Sequence, residues 1–299
     1  MIEREAMLRF APALTALLLV TGCGTPPPAS RVPSAQAAVD RLHTTQDCGA
    51  GIHTSAKVDL FGKQGRIRTD LLAFAVWPNQ LRMDIVSPFG VTLATLTSDG
   101  NKFAFANLRD RRFVHGRATA CNIARLTTVP LPGHVLASLL RGDAPVLKHT
   151  EADTGITWDT GSGAYVVTIK GNNGSEERIK IAPHPDDFGK PWADQRFRLV
   201  DVEMKQQGIV LYHAELDGHK PAPMDKPMVD PDGPDAPTPT SGPQCTADLP
   251  RTIHVEVPNK HEDVQFHYDT VTWNPPLPEG TFTQPIPGGM AVERAECDD

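Results

Sequence analysis

The sequence predicts a mainly β (α+β) protein, an antiparallel meander or barrel interrupted by short helices. Three observations predict it. From Ile52 onward the apolar residues recur with period two, turn signals rich in Gly and Asn follow one another at strand-length intervals, and one stretch alone, Cys121 to Leu140, switches to helical spacing.

The first clear helix is short. Ser34 can cap it, and Ala35, Ala37, Ala38, Val39 and Leu42 offer a small apolar face. Strands follow. Leu81, Met83 and Ile85 alternate with Arg82 and Asp84, as a half-buried strand requires. Asp99-Gly100 separates Val91–Ser98 from Lys102–Ala106, a strong hairpin signal that puts Phe103 and Phe105 on one face of the returning strand. Further hairpins are expected at Gly161-Ser162-Gly163, Gly171-Asn172-Asn173-Gly174 and Gln206-Gln207-Gly208. In the helical interruption, Pro132 suits a helix start and Gly142 its end, while Leu136, Leu139 and Leu140 form a face that could cover a sheet. Periodicity returns at Arg251–Val257 and Val264–Trp273.

The chain has 299 residues, with 36 acidic side chains against 29 basic, giving a net charge of −7. That balance lacks the electrostatic footprint of a nucleic-acid binder, so no nucleic-acid partner is expected. Its 28 prolines amount to about 9%, where roughly 5% is usual. Nine of them fall between Asp217 and Pro250, among Asp, Thr, Ser and Gly, which reads as an exposed, poorly ordered loop. The proline-punctuated tail, 274–299, is expected to lie extended across the domain.

The amino terminus reads as a targeting segment. Arg9 precedes an apolar run from Phe10 to Val20 that is too short to span a bilayer. The run ends in Val20-Thr21-Gly22-Cys23, which resembles a bacterial lipobox. Glu3 and Glu5 spoil the positive n-region, and initiation at Met7 would restore it. The lipobox resemblance implies a signal peptide over 1–22 and lipidation at Cys23. The Thr-Pro-Pro-Pro-Ala-Ser stretch reads as a flexible, lipidated tether over 23–33, and the concentration of proline outside the β-rich region argues for a single domain over 34–299. Gly24 in place of Asp implies sorting to the outer membrane, facing the periplasm. Two or more acyl chains would anchor the protein stably.

Four further cysteines, in an oxidising compartment, suggest two disulfides with three possible connectivities. The expected pairing is Cys48–Cys121 with Cys245–Cys297, the second stapling the proline-rich loop to the tail. No zinc-type spacing occurs.

The chemical motifs are weak. Asp159-Thr160-Gly161-Ser162 looks like an aspartic-protease signature and Asp153-Thr154-Gly155 offers a second copy. Such enzymes need carboxylates from separate lobes, so a pair of β-turns is the better reading. His254, His261 and His267 form no metal motif, and His254 and His267 are expected on solvent-facing strand positions. Asp230, Asp232 and Asp235 lack the ligand spacing of an EF-hand. Neither an enzyme, a metal nor a cofactor is expected.

Two segments, Leu81 to Gly100 with Pro88-Phe89-Gly90 at its centre, and Ile123 to Asp143 with Leu126-Thr127-Thr128-Val129-Pro130-Leu131-Pro132, resemble the LolB family of outer-membrane lipoprotein receptors, within the LolA/LolB superfamily. The resemblance covers roughly Ala35 to Leu216. It implies an incomplete antiparallel half-barrel, closed by short helices, whose apolar cavity accepts acyl chains. It implies a monomer whose partners are the membrane, acyl chains of lipoproteins or lipids, and a periplasmic lipoprotein carrier. Phe89, between Pro88 and Gly90, would protrude and help insert cargo into the membrane, although it could also fold back into the core. The cavity would be lined by Trp77, Leu81, Met83, Ile85, Phe103, Phe105, Leu136 and Leu140, residues that would equally fill an ordinary core. The long loop, the cysteines and the tail depart from the family pattern. They keep open a lipid carrier of LolA/LppX type and an envelope interaction protein with a vestigial cavity.

Overall fold

The computed structural model describes residues 24–62, 65–124, 131–229 and 237–297. Cys23, the signal segment, Leu126 to Pro130 and Asp230 to Asp235 therefore lie outside the described residues.

Ser34 caps α1 (Ala35–Gln46), its hydroxyl accepting from the Ala37 N–H at 3.2 Å. A six-strand meander follows: β1 (Gly51–Gly62), β2 (Gly65–Val76), β3 (Gln80–Val86), β4 (Thr92–Ser98), β5 (Lys102–Asn107) and β6 (Arg112–Arg117). Two helices interrupt it, α2 (Ala120–Ala124) and α3 (Gly133–Leu140), the latter ending on Gly142 at a φ of 72°, a conformation that suits glycine. The second run comprises β7 (Thr154–Asp159), β8 (Ala164–Lys170), β9 (Ser175–Pro183), β10 (Phe197–Gln206), β11 (Ile209–Asp217), β12 (Lys220–Ala222), β13 (Ala247–Leu249), β14 (Thr252–Val257), β15 (Glu262–Trp273) and β16 (Ala291–Ala295). The four hairpins expected at Asp99-Gly100, Gly161–Gly163, Gly171–Gly174 and Gln206–Gly208 are the β4–β5, β7–β8, β8–β9 and β10–β11 turns.

Among the described residues fourteen strands form one open sheet, in the order β16-β6-β5-β4-β3-β2-β1-β15-β14-β11-β10-β9-β8-β7. It does not close into a barrel. Every neighbour pair is antiparallel except β16 with β6. The two runs join at the centre, where β1 pairs with β15 from Ile52↔Trp273 to Phe61↔Asp263. Burial alternates along β1, with Ile52, Ala56, Val58 and Leu60 inward, so one face of the sheet is apolar. Helix α1 covers that face over β7, β8 and β10, and α3 covers it over β2 and β3. Their ends are tied together: Arg141, buried, donates to the Gly49 carbonyl at 2.9 Å, and His43 Nδ1 meets Asp143 at 2.8 Å. No helix among the described residues is long and apolar enough to cross a membrane.

Three expectations are corrected. The disulfides are Cys48–Cys245 and Cys121–Cys297, with Cα separations of 5.5 and 6.0 Å, not Cys48–Cys121 and Cys245–Cys297. The reason is the tail. It crosses the outer face of β3–β6, where Gln284 donates to the Thr95 and Ala104 carbonyls, and then pairs as β16 along β6. Ala295 lies opposite Gly116, which delivers Cys297 to α2 and Cys121. Buried Asn274 accepts from the Ala50 N–H and donates to the Cys48 and Pro243 carbonyls, which brings Cys245 to Cys48.

The segment read as a flexible tether is docked. The Thr25 N–H donates to the Thr160 carbonyl at 2.8 Å, the Trp158 indole to the Thr25 carbonyl at 2.9 Å, and the Val32 N–H to the Tyr165 hydroxyl at 3.3 Å. Few backbone groups in so proline-rich a stretch need partners, and the β7–β8 hairpin supplies them. The described parts of the proline-rich loop are likewise held, through the β12–β13 pair and through single bridges such as Met224 with Trp273.

Candidate functional site

The three strands β9, β10 and β11 place Glu177, Met204 and Tyr212 in one cross-strand row, because Glu177 lies opposite Met204 and Met204 opposite Tyr212. All three point to the helix-covered side, in phase with Ile179, Val202 and Ala214. Between this row and the start of α3 lies a cleft of about 310 Å³. Its walls are Leu131, Pro132, His134 and Val135 from the start of α3, Pro145, Val146 and Leu147 from the segment after it, Leu211 from β11, and Val257, Asn259 and Lys260 from the β14–β15 turn. The lining is overwhelmingly apolar.

Of its polar residues His134, Asn259 and Lys260 are exposed, while Tyr212 and Glu177 are buried. Glu177 is 1% exposed, and its Oε2 accepts from the Leu147 N–H at 2.7 Å. Burial pushes its carboxyl up to about 7, and the single backbone bond opposes that only in part. Burial also raises the Tyr212 phenol well above its ordinary value, with the nearby Glu177 carboxylate adding to it. At the rim, burial lowers His134.

None of the eight residues expected to line a cavity lines this cleft. Leu81, Leu136 and Leu140 are fully buried in the main core, where α3 packs on β2 and β3, and Met83 and Ile85 pack against it. Phe103 and Phe105 belong to a second cluster with Leu96, Val114 and Ile123. Trp77 is 64% exposed at the β2–β3 turn. The expected face is real, since Met83, Leu96 and Phe105 lie side by side in register, but α3 fills its space. The open volume lies on the other flank of the helix.

Glu177 was legible in principle. In Ser175-Glu-Glu-Arg-Ile-Lys-Ile181 it stands in phase with Ile179 and Ile181, so period two places a carboxylate where the strand turns inward.

Phe89 is 91% exposed. Its turn is closed by the Ser87 N–H to the Val91 carbonyl at 2.8 Å and by the Gly90 N–H to the Ser87 carbonyl at 2.9 Å, with Gly90 at a φ of 79°. Val91 and Leu93 extend the exposed apolar patch. Beside it runs a groove of about 560 Å³ edged by Val86, Pro88 and Leu93 and by the charged groups Lys57, Asp59, Arg68 and Asp70.

The protease-like motif is turn chemistry. Asp159 accepts from the Gly161 N–H and the Ser162 hydroxyl, while Asp153 accepts from Thr150, and the two carboxylates stand at opposite ends of β7. On the outer face, Asp201 with His213 and Glu215, and His254 with Glu256 and Asp263, are grouped closely enough to share a cation. The pairs His213–Asp201 and His254–Asp263, each at 2.8 Å, already satisfy these imidazoles as a polar ladder across four strands.

No protein-family model matches the chain, and no curated protein does. Solved structures do. The chain is similar to a DUF1329 family protein from Desulfovibrio piger, with a TM-score of 0.50 at 9% identity over 83% of this chain and 96% of that one. It is also similar to an outer membrane lipoprotein-sorting protein domain from Vibrio parahaemolyticus (TM-score 0.47, 10% identity, 83% and 97% covered). A LolA superfamily protein from Nitrosomonas europaea matches at a TM-score of 0.47 and 10% identity, with 84% and 98% covered. At these identities the likeness concerns the fold alone: a mostly β, open sheet with few helices.

Proposed function

We propose that this chain is an envelope lipoprotein, anchored through Cys23 in the outer membrane, that holds an aliphatic chain in the cleft beside α3. The observation that carries the reading is the cleft itself, a largely apolar space left open between helix and sheet. Its 310 Å³ stands at the lower end of the roughly 300–1,000 Å³ typical of small-molecule sites, a size for one chain. A chain leaving water for such a wall gains about 25 cal/mol per Å² of apolar surface, so uptake and release need neither metal nor nucleotide.

Within that reading the Phe89 turn is the element that meets the membrane or an acylated cargo. This is the LolB-like role, in which lipoproteins handed over by a periplasmic carrier are inserted into the outer membrane. The single-chain volume favours a second reading, carriage of a free lipid in the manner of LolA/LppX-type proteins.

Native mass spectrometry of the protein purified from membranes, then delipidated and offered a long-chain lipid, tests the proposal. The expected result is one lipid per protein, co-purifying or taken up. Failure to bind either way would leave only an interaction protein with a vestigial cavity.

A further inference from the structure

Apart from the exposed His134, Asn259 and Lys260, the cleft is apolar except at one place. Glu177 and Tyr212, 1% and 6% exposed, both line it. Glu177 commits one oxygen, Oε2, to the Leu147 N–H. Among the described residues its other oxygen has no hydrogen-bond partner, and neither has the Tyr212 hydroxyl. Each atom is also open to the cleft, since neither is among the fully enclosed polar atoms without a partner. The two groups stand in one row on β9 and β11, on either side of Met204 on β10, and the Glu177 charge acts on the phenol. Polar groups so deeply buried ordinarily have partners, because each unsatisfied one costs about 1–3 kcal/mol. Two adjacent vacancies opening on an apolar slot describe a ligand that is aliphatic over most of its length and polar at one point.

We infer that the cleft selects an aliphatic alcohol, a lipid chain bearing an uncharged hydroxyl, which donates to Glu177 Oε1 and accepts from the Tyr212 hydroxyl. This rests on the reading of the cleft as a lipid site and names its ligand class. A hydroxyl is the smallest group that is both donor and acceptor, and so fills both vacancies at once. An anionic head at this point would face the Glu177 carboxylate, Lys260 being on the exposed β14–β15 turn, and a plain hydrocarbon would leave both groups unpaired. The pinned Oε2 gives the site its polarity. In Glu177→Gln the amide oxygen takes the Leu147 N–H, and the NH₂ then faces the cleft as a donor, with nothing left to accept from the ligand.

The test uses the delipidated protein at pH 8 and displacement of bound N-phenyl-1-naphthylamine, an uncharged fluorescent probe. The competitors are 1-dodecanol, its methyl ether and dodecanoate. The alcohol should displace the probe at roughly tenfold lower concentration than the ether, as one net hydrogen bond predicts, with dodecanoate weaker still. In Glu177→Gln the advantage of alcohol over ether should vanish. In Tyr212→Phe, which removes no existing bond of the fold, both alcohol and ether should weaken by a similar factor. Equal displacement by alcohol and ether in the wild type would overturn the inference and leave the lipid cleft standing. Displacement by neither, or no binding of the probe, would overturn both. An unchanged preference in Glu177→Gln, or undiminished binding of both alcohol and ether in Tyr212→Phe, each variant folded by circular dichroism, would place the selectivity elsewhere and also overturn it.

Discussion

The Leu147 N–H donates to Glu177 Oε2 at 2.7 Å, tying the irregular segment after α3 to the inner face of β9. That bond holds one wall of the cleft and leaves the buried carboxyl half-solvated by protein. Burial of that carboxyl, which the bond opposes only in part, makes its contribution to stability depend on pH with a definite sign.

Glu177 rises from about 4.5 unfolded to about 7 folded, so the folded chain holds its proton more tightly. Stability therefore falls as pH rises from 4.5 to 7, by about 3 kcal/mol for a shift of this size. His43 and His213, both raised above 6.5, chiefly by hydrogen bonds to Asp143 and Asp201, act in the same direction. Their contribution is complete below 6.5 and is lost as pH climbs through the folded value. His134 and His219, both lowered by burial and the latter to about 4, act in the opposite direction, so the Glu177 contribution is read as the difference between wild type and Glu177→Gln in urea unfolding at pH 5 and pH 8. Relative to that variant the wild type should lose stability at the higher pH, and an equal change in both proteins would assign the dependence to the histidines.

Phe89→Glu should leave unfolding free energy within about 0.5 kcal/mol of wild type, as expected for a surface position, since the side chain is 91% exposed. It should abolish binding of the unlipidated domain to vesicles and impair delivery of acylated cargo. Wild-type delivery by this variant would remove Phe89 from the account.

Asn274 is fully buried and joins three backbone groups, those of Ala50, Cys48 and Pro243. It also sits at a φ of 49°, which asparagine tolerates better than alanine. Asn274→Ala should cost about 3 kcal/mol or more, measured by chemical unfolding. A cost below 1 kcal/mol would show that water replaces the network.

Peptide mapping without reduction should recover Cys48 with Cys245 and Cys121 with Cys297. Replacing Cys121 and Cys297 by serine should speed amide exchange in β16 and in β6 beneath it, with little change in β8–β10. Uniform exchange across the sheet after that change would deny the staple its local role.

Much of this arrangement is legible in the chain, for a physical reason. Alternation in Leu81-Arg-Met-Asp-Ile85, turns at Asp99-Gly100 and Gly171–Gly174, and the Pro132–Gly142 brackets are local signals, and all emerge as strand, hairpins and helix. Pro88 and Gly90 likewise place Phe89 at an exposed tip. What escaped depends on distant partners. Strand β16 is exposed along almost its whole length, so it shows no alternation, and its existence decides where Cys297 goes. The segment before α1 has no periodicity, yet Trp158 and Thr160 hold it. The cleft was misplaced because α3 could cover the sheet with either flank open, and no spacing rule tells which.

The most direct test is photocrosslinking with a fatty alcohol carrying a diazirine in its chain, followed by peptide sequencing. Adducts on Leu147, Met204, Leu211 and Val257 are the predicted result. Adducts confined to Met83, Ile85 and Phe105, or to the Phe89 turn, would contradict a lipid site in the cleft beside α3.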